Sequence, residues 1–478
     1  MAQQVQEFDV VVVGGGAVGE NAADRAGRTG LSVAVVEHAL VGGECSYWAC
    51  MPSKALLRPG TALAAARAVP GAAAAVTGTV DVAAAFARRD EVTHHWDDGS
   101  QVGWLDSVGI TLLRGSARFT GPRALTVVHE GSTTDVVARH AVVLATGSEP
   151  VVPPVLADVR PWSSRDATSA QQVPARLAIL GGGVVGVEMG TAFADFGSEV
   201  TLLVRGDRLL AGAEPFAGEL VADALRAAGV DVRFGTEVTG ATRDDDGVHL
   251  ELDPSGRLDV TEVLAATGRR PRTSDVGLET IGLTPGKPAE VDDALCVTGV
   301  ADGWLFAVGD VSGRTATTHQ GKYDARVAGD VVAHRFGPDG DADAERDAAP
   351  WSRFRATADQ AAVPQVVFSR PEVAWVGRTE AAARDAGIDV QVLDYKLEDI
   401  AGATVLSPEY EGRGRLVVDK ARGVVVGATF AGPDVAELLH AATIAVVGEV
   451  PLDRLWHAVP SYPTLSEVWL RFLESAGL

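Results

Sequence analysis

The chain of 478 residues holds little cysteine, with only three residues of that type. Basic residues are also scarce: 41 lysines and arginines stand against 64 aspartates and glutamates, so the formal net charge is −23 at pH 7. Because nucleic acids and anionic membranes bind proteins through basic surfaces, this charge argues against both as partners. No apolar run approaches the ~20 residues that a membrane-spanning helix requires. We therefore expect a soluble protein.

The amino terminus gives no sign of export. Residues 1–7 lack the charged and then apolar pattern of a secretory signal. We therefore expect a cytoplasmic protein, in a compartment that keeps ordinary thiols reduced. The length predicts about three domains and a sizeable core.

Two of the three cysteines stand close together. Cys45 and Cys50 are separated by four residues in the segment 42–54, GGECSYWACMPSK. In a reducing compartment, paired cysteines are more often catalytic or metal-binding than structural. A metal site is disfavoured because no nearby Cys-x-x-Cys or histidine completes a set of four ligands. The pattern predicts a redox-active pair and no metal site.

The cysteine pair follows directly on a dinucleotide-binding pattern. Residues 8–13 are typical of a short buried strand, and the glycine turn GGGAVG follows at 14–19. A second strand at 32–36 leads to Glu37, and an acid at this place binds ribose hydroxyls. Glycines let the backbone approach a pyrophosphate, whose charge the helix N-terminus stabilises. The dinucleotide contacts are predicted at Gly14, Gly16, Gly19 and Glu37.

The same unit recurs in the middle of the chain. The turn GGGVVG at 181–186 lies between two strand patterns, the second at 199–204. Where an NAD-binding unit would end its second strand in an acid, this chain has Val204, followed by Arg205 and Arg208. Arginines pair with a 2′-phosphate that an acid would repel, so the pattern favours NADPH over NADH. Solvated surface charge is the alternative interpretation of both arginines.

These patterns, in this order, resemble the pyridine nucleotide-disulfide oxidoreductase family, which includes dihydrolipoamide dehydrogenase, glutathione reductase and mercuric reductase. The resemblance covers nearly the whole chain and includes residues 364–379 and 463–467. It implies an α/β fold with two Rossmann-like dinucleotide-binding domains and a C-terminal α+β dimerisation domain. The implied domains are FAD-binding at 1–150 and 275–345, NAD(P)-binding at 151–274, and dimerisation at 346–478.

The resemblance also implies which residues contact the two cofactors, FAD and NAD(P)H. The implied FAD contacts are Gly14, Gly16, Gly19, Glu37, Lys54, Ala117, Thr146, Gly147 and Asp310, together with the helix start Ala316, Thr317, Thr318 and His319. The expected NAD(P)H contacts are Gly181, Gly183, Gly186, Glu188, Arg205, Arg208, Val238 and Gly268. Lys54 and Glu188 match an ion pair beside the flavin in this family, although each alone would be an ordinary helix-surface charge.

The implied reaction takes electrons from NAD(P)H through FAD to a disulfide formed by Cys45 and Cys50. By position, Cys50 resembles the thiol next to the flavin, and Cys45 resembles the interchange thiol that attacks the acceptor. The thiolate is the reactive form of cysteine. A helix expected after Cys50 would stabilise the thiolate through its positive end.

The C-terminal segment departs from the family pattern. Relatives that reduce disulfides carry His-Pro-Thr-x-x-Glu, supplied by the partner subunit, whereas the matching position here is Tyr462, with Glu467 retained. A tyrosine with its ordinary pKa of ~10 is a poor base at neutral pH. Mercuric reductases resemble this chain in having tyrosine there, but the C-terminal cysteine pair they usually carry is missing, since the third cysteine is Cys296. His457 is the alternative source of a histidine.

Three functions stay open on this basis. The leading hypothesis is a homodimeric FAD enzyme that uses NADPH, with NADH possible, to reduce a disulfide or similar electrophile through Cys45 and Cys50. Tyr462 and Glu467 would shape the acceptor site. In the second, a quinone, a metal ion or oxygen takes the electrons and the dithiol is secondary. In the third, the chain is a non-catalytic scaffold dimer stabilised by FAD.

Overall fold

The structure is a computed structural model, and it describes residues 5–254, 256–338, 340 and 348–478. Within these residues, no helix is both long enough and apolar enough to cross a membrane. The domain boundary predicted between residues 345 and 346 lies outside the described residues.

The described residues contain 21 strands, distributed along most of the chain. The strands are β1 (Val5–Val13), β2 (Val33–Glu37), β3 (Thr111–Arg114), β4 (Ser116–Gly121), β5 (Ala124–His129), β6 (Ser132–Leu144), β7 (Ser148–Pro150), β8 (Arg176–Leu180), β9 (Glu199–Val204), β10 (Asp231–Phe234), β11 (Glu237–Asp244), β12 (Gly247–Asp253), β13 (Arg257–Val260), β14 (Glu262–Ala265), β15 (Arg269–Pro271), β16 (Leu305–Ala307), β17 (Gln365–Val367), β18 (Glu372–Gly377), β19 (Val390–Lys396), β20 (Arg413–Asp419) and β21 (Val424–Gly432).

The helices are more uneven in length than the strands. They are α1 (Ala17–Gly27), α2 (Gly43–Tyr47), α3 (Cys50–Arg67), α4 (Pro70–Ala73), α5 (Val82–Val92), α6 (Gly99–Ser107), α7 (Ser164–Ser169), α8 (Val184–Asp195), α9 (Pro215–Ala227), α10 (Thr318–Phe336), α11 (Ala358–Ala361), α12 (Glu380–Asp385), α13 (Ala401–Leu406), α14 (Leu439–Val447), α15 (Leu452–Leu455) and α16 (Val468–Ser475).

The chain divides into two compact units, and the first is built on one seven-stranded sheet. This unit comprises residues 1–52, 90–149 and 269–359. Its strand order is β3-β2-β1-β6-β5-β4, with β16 paired to β6. Strands β3, β2, β1, β6 and β16 run parallel, whereas β4 and β5 are antiparallel to their neighbours. Parallel strands buried on both faces read as continuous apolar runs, which is why the four valines at the end of β1 are buried.

The second unit comprises residues 53–89, 150–268 and 360–478 and contains three sheets. A four-stranded parallel sheet has the order β10-β9-β8-β14. A three-stranded antiparallel sheet joins β11, β12 and β13. The C-terminal part forms a five-stranded antiparallel sheet in the order β17-β18-β21-β20-β19. The chain therefore carries two parallel sheets of the nucleotide-binding type and a separate α+β part.

Candidate active site

The first glycine turn is fixed by contacts that leave no room for a side chain. Gly14 has φ +106°, and a Cβ there would lie 2.3 Å from the Ala145 carbonyl oxygen. A Cβ on Gly19 would lie 1.9 Å from the Gly14 carbonyl oxygen. Gly16 is the N-cap of α1, so the free backbone N–H groups of that helix begin here. The turn therefore presents a positive helix end on a bare backbone, which fits a pyrophosphate.

The second turn repeats this geometry in the other unit. Gly181 has φ +117°, and a Cβ there would lie 2.3 Å from the Ala266 carbonyl oxygen. A Cβ on Gly186 would lie 2.0 Å from the Gly181 carbonyl oxygen, and Gly183 is the N-cap of α8. Both turns thus fit the same kind of ligand, a dinucleotide.

Glu37 ends β2 inside the first unit and is buried. Its Oε2 accepts a hydrogen bond from the Gly15 N–H at 2.7 Å, and its Oε1 accepts one from the Ala39 N–H at 2.7 Å. Burial alone would raise the pKa of Glu37, but hydrogen bonds from His38, Ala39 and Gly15 outweigh it and leave this pKa lowered. The carboxylate is thus held ionised beside the glycine turn, where an acid fits a ribose.

Asp310 belongs to a hydrogen-bonded network of polar side chains that extends to α2, the helix that carries Cys45. Ser148 Oγ donates to Asp310 Oδ2 at 2.5 Å, and Arg269 Nε donates to Ser148 Oγ at 2.7 Å. Arg269 Nη2 also lies 3.4 Å from Oε2 of Glu44, the residue before Cys45. Sequence reasoning missed Ser148 and Arg269, since neither stands in a recognisable motif.

The start of α10 presents unpartnered hydroxyls. Thr317 is the N-cap of this 19-residue helix, with Ala316 before it and His319 in its first turn. The buried Oγ1 atoms of Thr315 and Thr317 have no hydrogen-bond partner among the described residues. Polar atoms left buried in this way are costly unless a ligand satisfies them. Together with the positive helix end, they fit the electron-accepting ring of a flavin.

Three other predicted FAD contacts lie in the same unit. Thr146 Oγ1 donates to the Arg272 carbonyl at 2.7 Å, and Gly147 has φ +70°. Ala117 lies in β4 and is partly buried.

The two cysteines lie in two consecutive helices. Cys45 lies in α2, and Cys50 is the first residue of α3. Cys50 Sγ lies 3.2 Å from Thr318 Oγ1. The hydrogen bond to Cys50, burial and the negative charge of Cys50 raise the pKa of the Cys45 thiol, whereas Thr318 and Lys322 act in the opposite direction. Cys50, as the first residue of α3, lies at the positive end of that helix.

The aromatic residues between the cysteines are packed into the first unit. Tyr47 is fully buried, and its hydroxyl lies 3.0 Å from Gln101 Oε1 and 3.2 Å from the Asp97 carbonyl. Trp96 Nε1 donates to the Tyr47 carbonyl at 3.2 Å. Tyr47 therefore anchors α2, and Trp48 beside it is only partly buried.

In the second unit, Lys54 and Glu188 form the ion pair that the resemblance implies. Lys54 Nζ lies 2.8 Å from Glu188 Oε2, and the Phe368 N–H donates to Glu188 Oε1 at 3.0 Å. Lys54 Nζ also lies 4.9 Å from the centre of the Phe368 ring. Glu188 is almost fully buried in α8, so its charge depends on Lys54 and this N–H for compensation.

The two predicted phosphate-binding arginines follow β9. Arg205 and Arg208 are both exposed, and Arg208 Nη2 donates to the Ala211 carbonyl at 3.1 Å. Val238 is buried in β11, and Gly268 has φ +127°. The arginines thus stand at the carboxyl end of a parallel strand, the end at which such sheets bind ligands.

The C-terminal residues are divided between the surface and the interior. Tyr462 is 77% exposed and Val459 is 85% exposed, and His457 is exposed as well. Glu467 is buried and forms an ion pair with Arg471, one turn later in α16. Its Oε2 is buried without a hydrogen-bond partner in the described part of the chain. In this unit Glu467 is thus held by an arginine rather than by a histidine.

Two further charged residues of the first unit escaped the sequence reasoning. Glu20 lies in the first turn of α1, and Lys322 lies in α10. The signal for Glu20 was an acid directly after the last glycine of a turn that binds negative phosphates, whose charge repels it. No group of three or more His, Cys, Asp or Glu side chains is placed to hold a metal ion, within the residues that the structure describes.

These features together define a flavin- and pyridine-nucleotide-dependent dithiol oxidoreductase. They are two parallel sheets with phosphate-binding turns, a dithiol at a helix start, and a buried lysine–glutamate pair. Comparison with known proteins supports the same class. The model of the pyridine nucleotide-disulphide oxidoreductase family matches residues 8–325, and the model of its dimerisation domain matches residues 363–471. The chain belongs to this family.

Similar proteins span almost the full chain. The dihydrolipoyl dehydrogenase of Bacillus subtilis is 30% identical over 477 residues, which cover 98% of this chain and 96% of that protein. The mercuric reductase of Staphylococcus aureus is 28% identical over 96% of this chain and 81% of its own length. The structure of RclA from Escherichia coli, a HOCl-induced flavoprotein disulfide reductase, has a TM-score of 0.81 at 26% identity and covers 98% of this chain and 99% of that chain.

Membership in the pyridine nucleotide-disulphide oxidoreductase family confirms several predictions. The protein is an oxidoreductase that binds FAD and takes electrons from NAD(P)H for a redox-active cysteine pair, and its fold combines dinucleotide-binding parts with a C-terminal dimerisation domain. The scaffold hypothesis is therefore set aside. The individual site residues, the domain boundaries and the preference for NADPH stay predictions.

Proposed function

We propose that the protein is an NADPH-dependent reductase that delivers electrons to a disulfide or similar electrophile through Cys45 and Cys50. The observation that carries this is the placement of the two thiols. Cys50 begins α3 with its sulfur 3.2 Å from Thr318 Oγ1, and Cys45 lies one short helix earlier. Bound FAD supplies the two-electron chemistry that links NADPH to the disulfide form of this pair.

The two cysteines have different tasks in this proposal. Cys50 holds negative charge at the helix start, while the raised pKa of Cys45 keeps that sulfur protonated until it attacks. Cys45 is then the interchange thiol that bonds to the acceptor, and Cys50 displaces the product by closing the disulfide. Gly14, Gly16, Gly19 and Glu37 orient the FAD, and Lys54 and Glu188 hold a fixed charge pair.

NADPH is the proposed donor because Arg205 and Arg208 follow β9 where an NAD-binding unit would have an acid. Both side chains are exposed and able to pair with a 2′-phosphate. Gly181, Gly183 and Gly186 then hold the pyrophosphate.

A homodimer is proposed from the dimerisation domain and from the exposed C-terminal surface. Val459, Tyr462 and Ile444 are 85%, 77% and 57% exposed, which is unusual for a group of large apolar side chains. In a homodimer, Tyr462 of each protomer would border the acceptor site of its partner. We also propose a cytoplasmic location, since a dithiol that must be re-reduced by NADPH suits a reducing compartment.

The experiment is an anaerobic titration of the FAD-loaded protein with NADPH and, separately, with NADH, followed by visible absorption. A long-wavelength band at two electrons per FAD is expected with NADPH, because a thiolate then lies against the flavin. Cys50→Ser should abolish the band, whereas Cys45→Ser should show it before any donor is added, because its Cys50 thiol cannot be held in the disulfide. Bleaching of the flavin without the band in the unmodified protein would contradict the proposal.

The second candidate is reduction of a metal ion or quinone. It is favoured by Tyr462 at the position of the family histidine. A mercuric reductase is among the similar proteins, and RclA has been solved as a Cu(II) complex. Turnover with Cys45→Ser separates the two functions: a disulfide reductase loses nearly all activity, whereas a quinone reductase keeps it.

A further inference from the structure

The helix that carries Cys45 rests directly on the first glycine turn. The Gly42 N–H donates to the Gly15 carbonyl at 2.8 Å. A Cβ on Gly43, the first residue of α2, would lie 2.7 Å from the Cα of Gly16. The turn that fits a pyrophosphate and the helix that holds the thiol are therefore in backbone contact, so that a displacement of one displaces the other.

Asp98 holds the segment that leads into this contact. Its Oδ2 accepts a hydrogen bond from the Val41 N–H at 2.7 Å and another from Arg114 Nη2 at 2.5 Å. Arg114 Nη1 in turn donates to the Ala39 carbonyl at 2.6 Å. One carboxylate and one guanidinium thus fix the short segment between β2 and α2.

Asp98 makes these contacts instead of the usual ones for its place in the chain. It is the N-cap residue of α6, where an aspartate normally accepts a hydrogen bond from the first turn of its own helix. Within the described part of the chain, its side chain forms no such bond, and it is only 13% exposed. The positive end of α6 favours its charged form. The carboxylate therefore serves the neighbouring segment rather than its own helix.

The turn before Asp98 is strained and supports the other end of α2. His94, His95 and Trp96 have φ of +51°, +53° and +58°, values that residues other than glycine seldom adopt. Such strain persists only where surrounding contacts hold it. Trp96 Nε1 donates to the carbonyl of Tyr47, the fully buried last residue of α2, at 3.2 Å. This turn and Asp98 therefore hold α2 at its two ends.

We propose that Asp98 is the positioning residue that keeps Cys45 within reach of Cys50 for disulfide closure. It acts through Arg114 and the segment between β2 and α2. The inference rests on the proposed function, which assigns these two thiols to the reaction. Cys50 is placed separately, at the start of α3 with its sulfur 3.2 Å from Thr318 Oγ1. A disulfide closes only within a narrow range of separations, so the seat of α2 decides how readily the bond forms.

The test measures the equilibrium between the dithiol and the disulfide in mixtures of reduced and oxidised dithiothreitol at neutral pH. In this exchange the thiols of Cys45 and Cys50 lose two electrons and two protons, and oxidised dithiothreitol gains them. The FAD-loaded protein is quenched with trichloroacetic acid, and its remaining thiols are alkylated with N-ethylmaleimide under denaturing conditions. Peptide mass spectrometry then gives the disulfide fraction, and neither NADPH nor an acceptor is needed.

We expect Asp98→Ala to lower the equilibrium constant for disulfide formation by about 10-fold, because hydrogen bonds to a charged group hold α2 in place. Asp98→Asn should lower it by less, about 3-fold, since an amide oxygen still accepts from the Val41 N–H. Arg114→Met should change the constant in the same direction. Asp106→Ala, at an exposed position of the same helix, is the matched control and should leave the constant unchanged.

The melting temperature of each variant is measured alongside, because a merely structural role would lower it without changing the equilibrium constant. An unchanged constant in Asp98→Ala overturns the proposal. If that variant does not fold, Asp98→Asn, which keeps the shape of the side chain, takes its place, and an unchanged constant there has the same meaning. If the unmodified protein forms no disulfide between Cys45 and Cys50 at any ratio, both proposals fail. A shifted constant in a protein that reduces no disulfide with NADPH would support the role of Asp98 and count against the proposed function alone.

Discussion

The Lys54 ammonium lies against both oxygens of a buried carboxylate, with Nζ 3.0 Å from Glu188 Oε1 and 2.8 Å from Oε2. The lysine side chain is 35% exposed, whereas that of Glu188 is only 4% exposed. The carboxylate thus pays most of the desolvation cost of this pair, and the lysine is its main source of compensation.

Lys54→Met should therefore destabilise the protein by stranding a buried charge. Because Lys54 is partly exposed, we expect a loss of about 2 kcal/mol, below the ~3–5 kcal/mol typical of a fully buried pair, and a melting temperature lower by about 2 °C. Differential scanning calorimetry measures the change in melting temperature. The double variant Lys54→Met with Glu188→Gln should recover part of the loss, and a double variant as unstable as the sum would contradict this reading.

Alanine in either glycine turn should affect one cofactor and spare the other. Gly19→Ala places a Cβ 1.9 Å from the Gly14 oxygen, and Gly186→Ala places one 2.0 Å from the Gly181 oxygen. Gly19→Ala should be purified with less than about half of the FAD, since the turn must open to admit the methyl group. Gly186→Ala should retain FAD and raise KM for NADPH by about 10-fold or more. Absorbance of bound FAD and steady-state kinetics separate the two effects.

Gly71→Ala is the control for both turns, since a Cβ there meets no atom within 4 Å. It should leave FAD content and KM unchanged. If Gly19→Ala keeps its FAD, the first turn is not the pyrophosphate site.

Removing the two arginines after β9 should change donor preference. We expect Arg205→Ala with Arg208→Ala to raise KM for NADPH by about 10-fold, while KM for NADH stays the same, because only NADPH carries the 2′-phosphate. Arg226→Ala, at an exposed site on α9, is the matched control for lost charge. If KM changed equally for NADPH and NADH, the arginines would be ordinary solvent-exposed charges that do not bind the 2′-phosphate.

Asp324 predicts a pH dependence of stability. It is fully buried, and Gly309 N donates to its Oδ2 at 3.3 Å. Burial, the charge of Asp359 and a hydrogen bond to that residue raise the pKa of Asp324 to about 8 from an ordinary value of 3.8. Between these values the folded protein holds a proton that the unfolded chain has released, so this residue's contribution to stability falls as pH rises to about 8.

Asp324→Asn removes this titration but retains the shape of the side chain. Relative to the unmodified protein, its melting temperature should therefore increase between pH 5 and pH 9, by roughly 5 °C. Asp106→Asn, at an exposed position of the same unit, should show no such trend. Parallel melting curves for Asp324→Asn and the unmodified protein across this range would refute the assignment.

Local patterns predicted the elements well. The strand expected at 199–204 is β9, and the strand expected at 32–36 is β2, shifted by one residue. The strand expected at 8–13 lies within β1, which begins at Val5. These succeed because strand alternation, glycine turns and helix periodicity depend on residues that are close in the sequence.

The candidate site was only partly predictable. Cys45 and Cys50 lie within one short segment, so their pairing was evident from spacing. Arg269 contacts Glu44 across 225 positions, and no local pattern connects them. The ion pair of Glu467 with Arg471 spans only one helical turn, yet this spacing alone does not distinguish a buried carboxylate from an ordinary pair on a helix surface.

The sequence by itself determined two dinucleotide turns, a cysteine pair and the loss of the C-terminal histidine, since each is a matter of residue identity and spacing. Tertiary structure alone decided which charges meet. Lys54 reaches Glu188 across 134 positions, and α10 packs so closely on Val18 of α1 that Gly321 has no room for a side chain. Burial also raises the pKa of Asp324, because the free energy of a charge depends on the solvent and dipoles around it, which the order of residues does not specify.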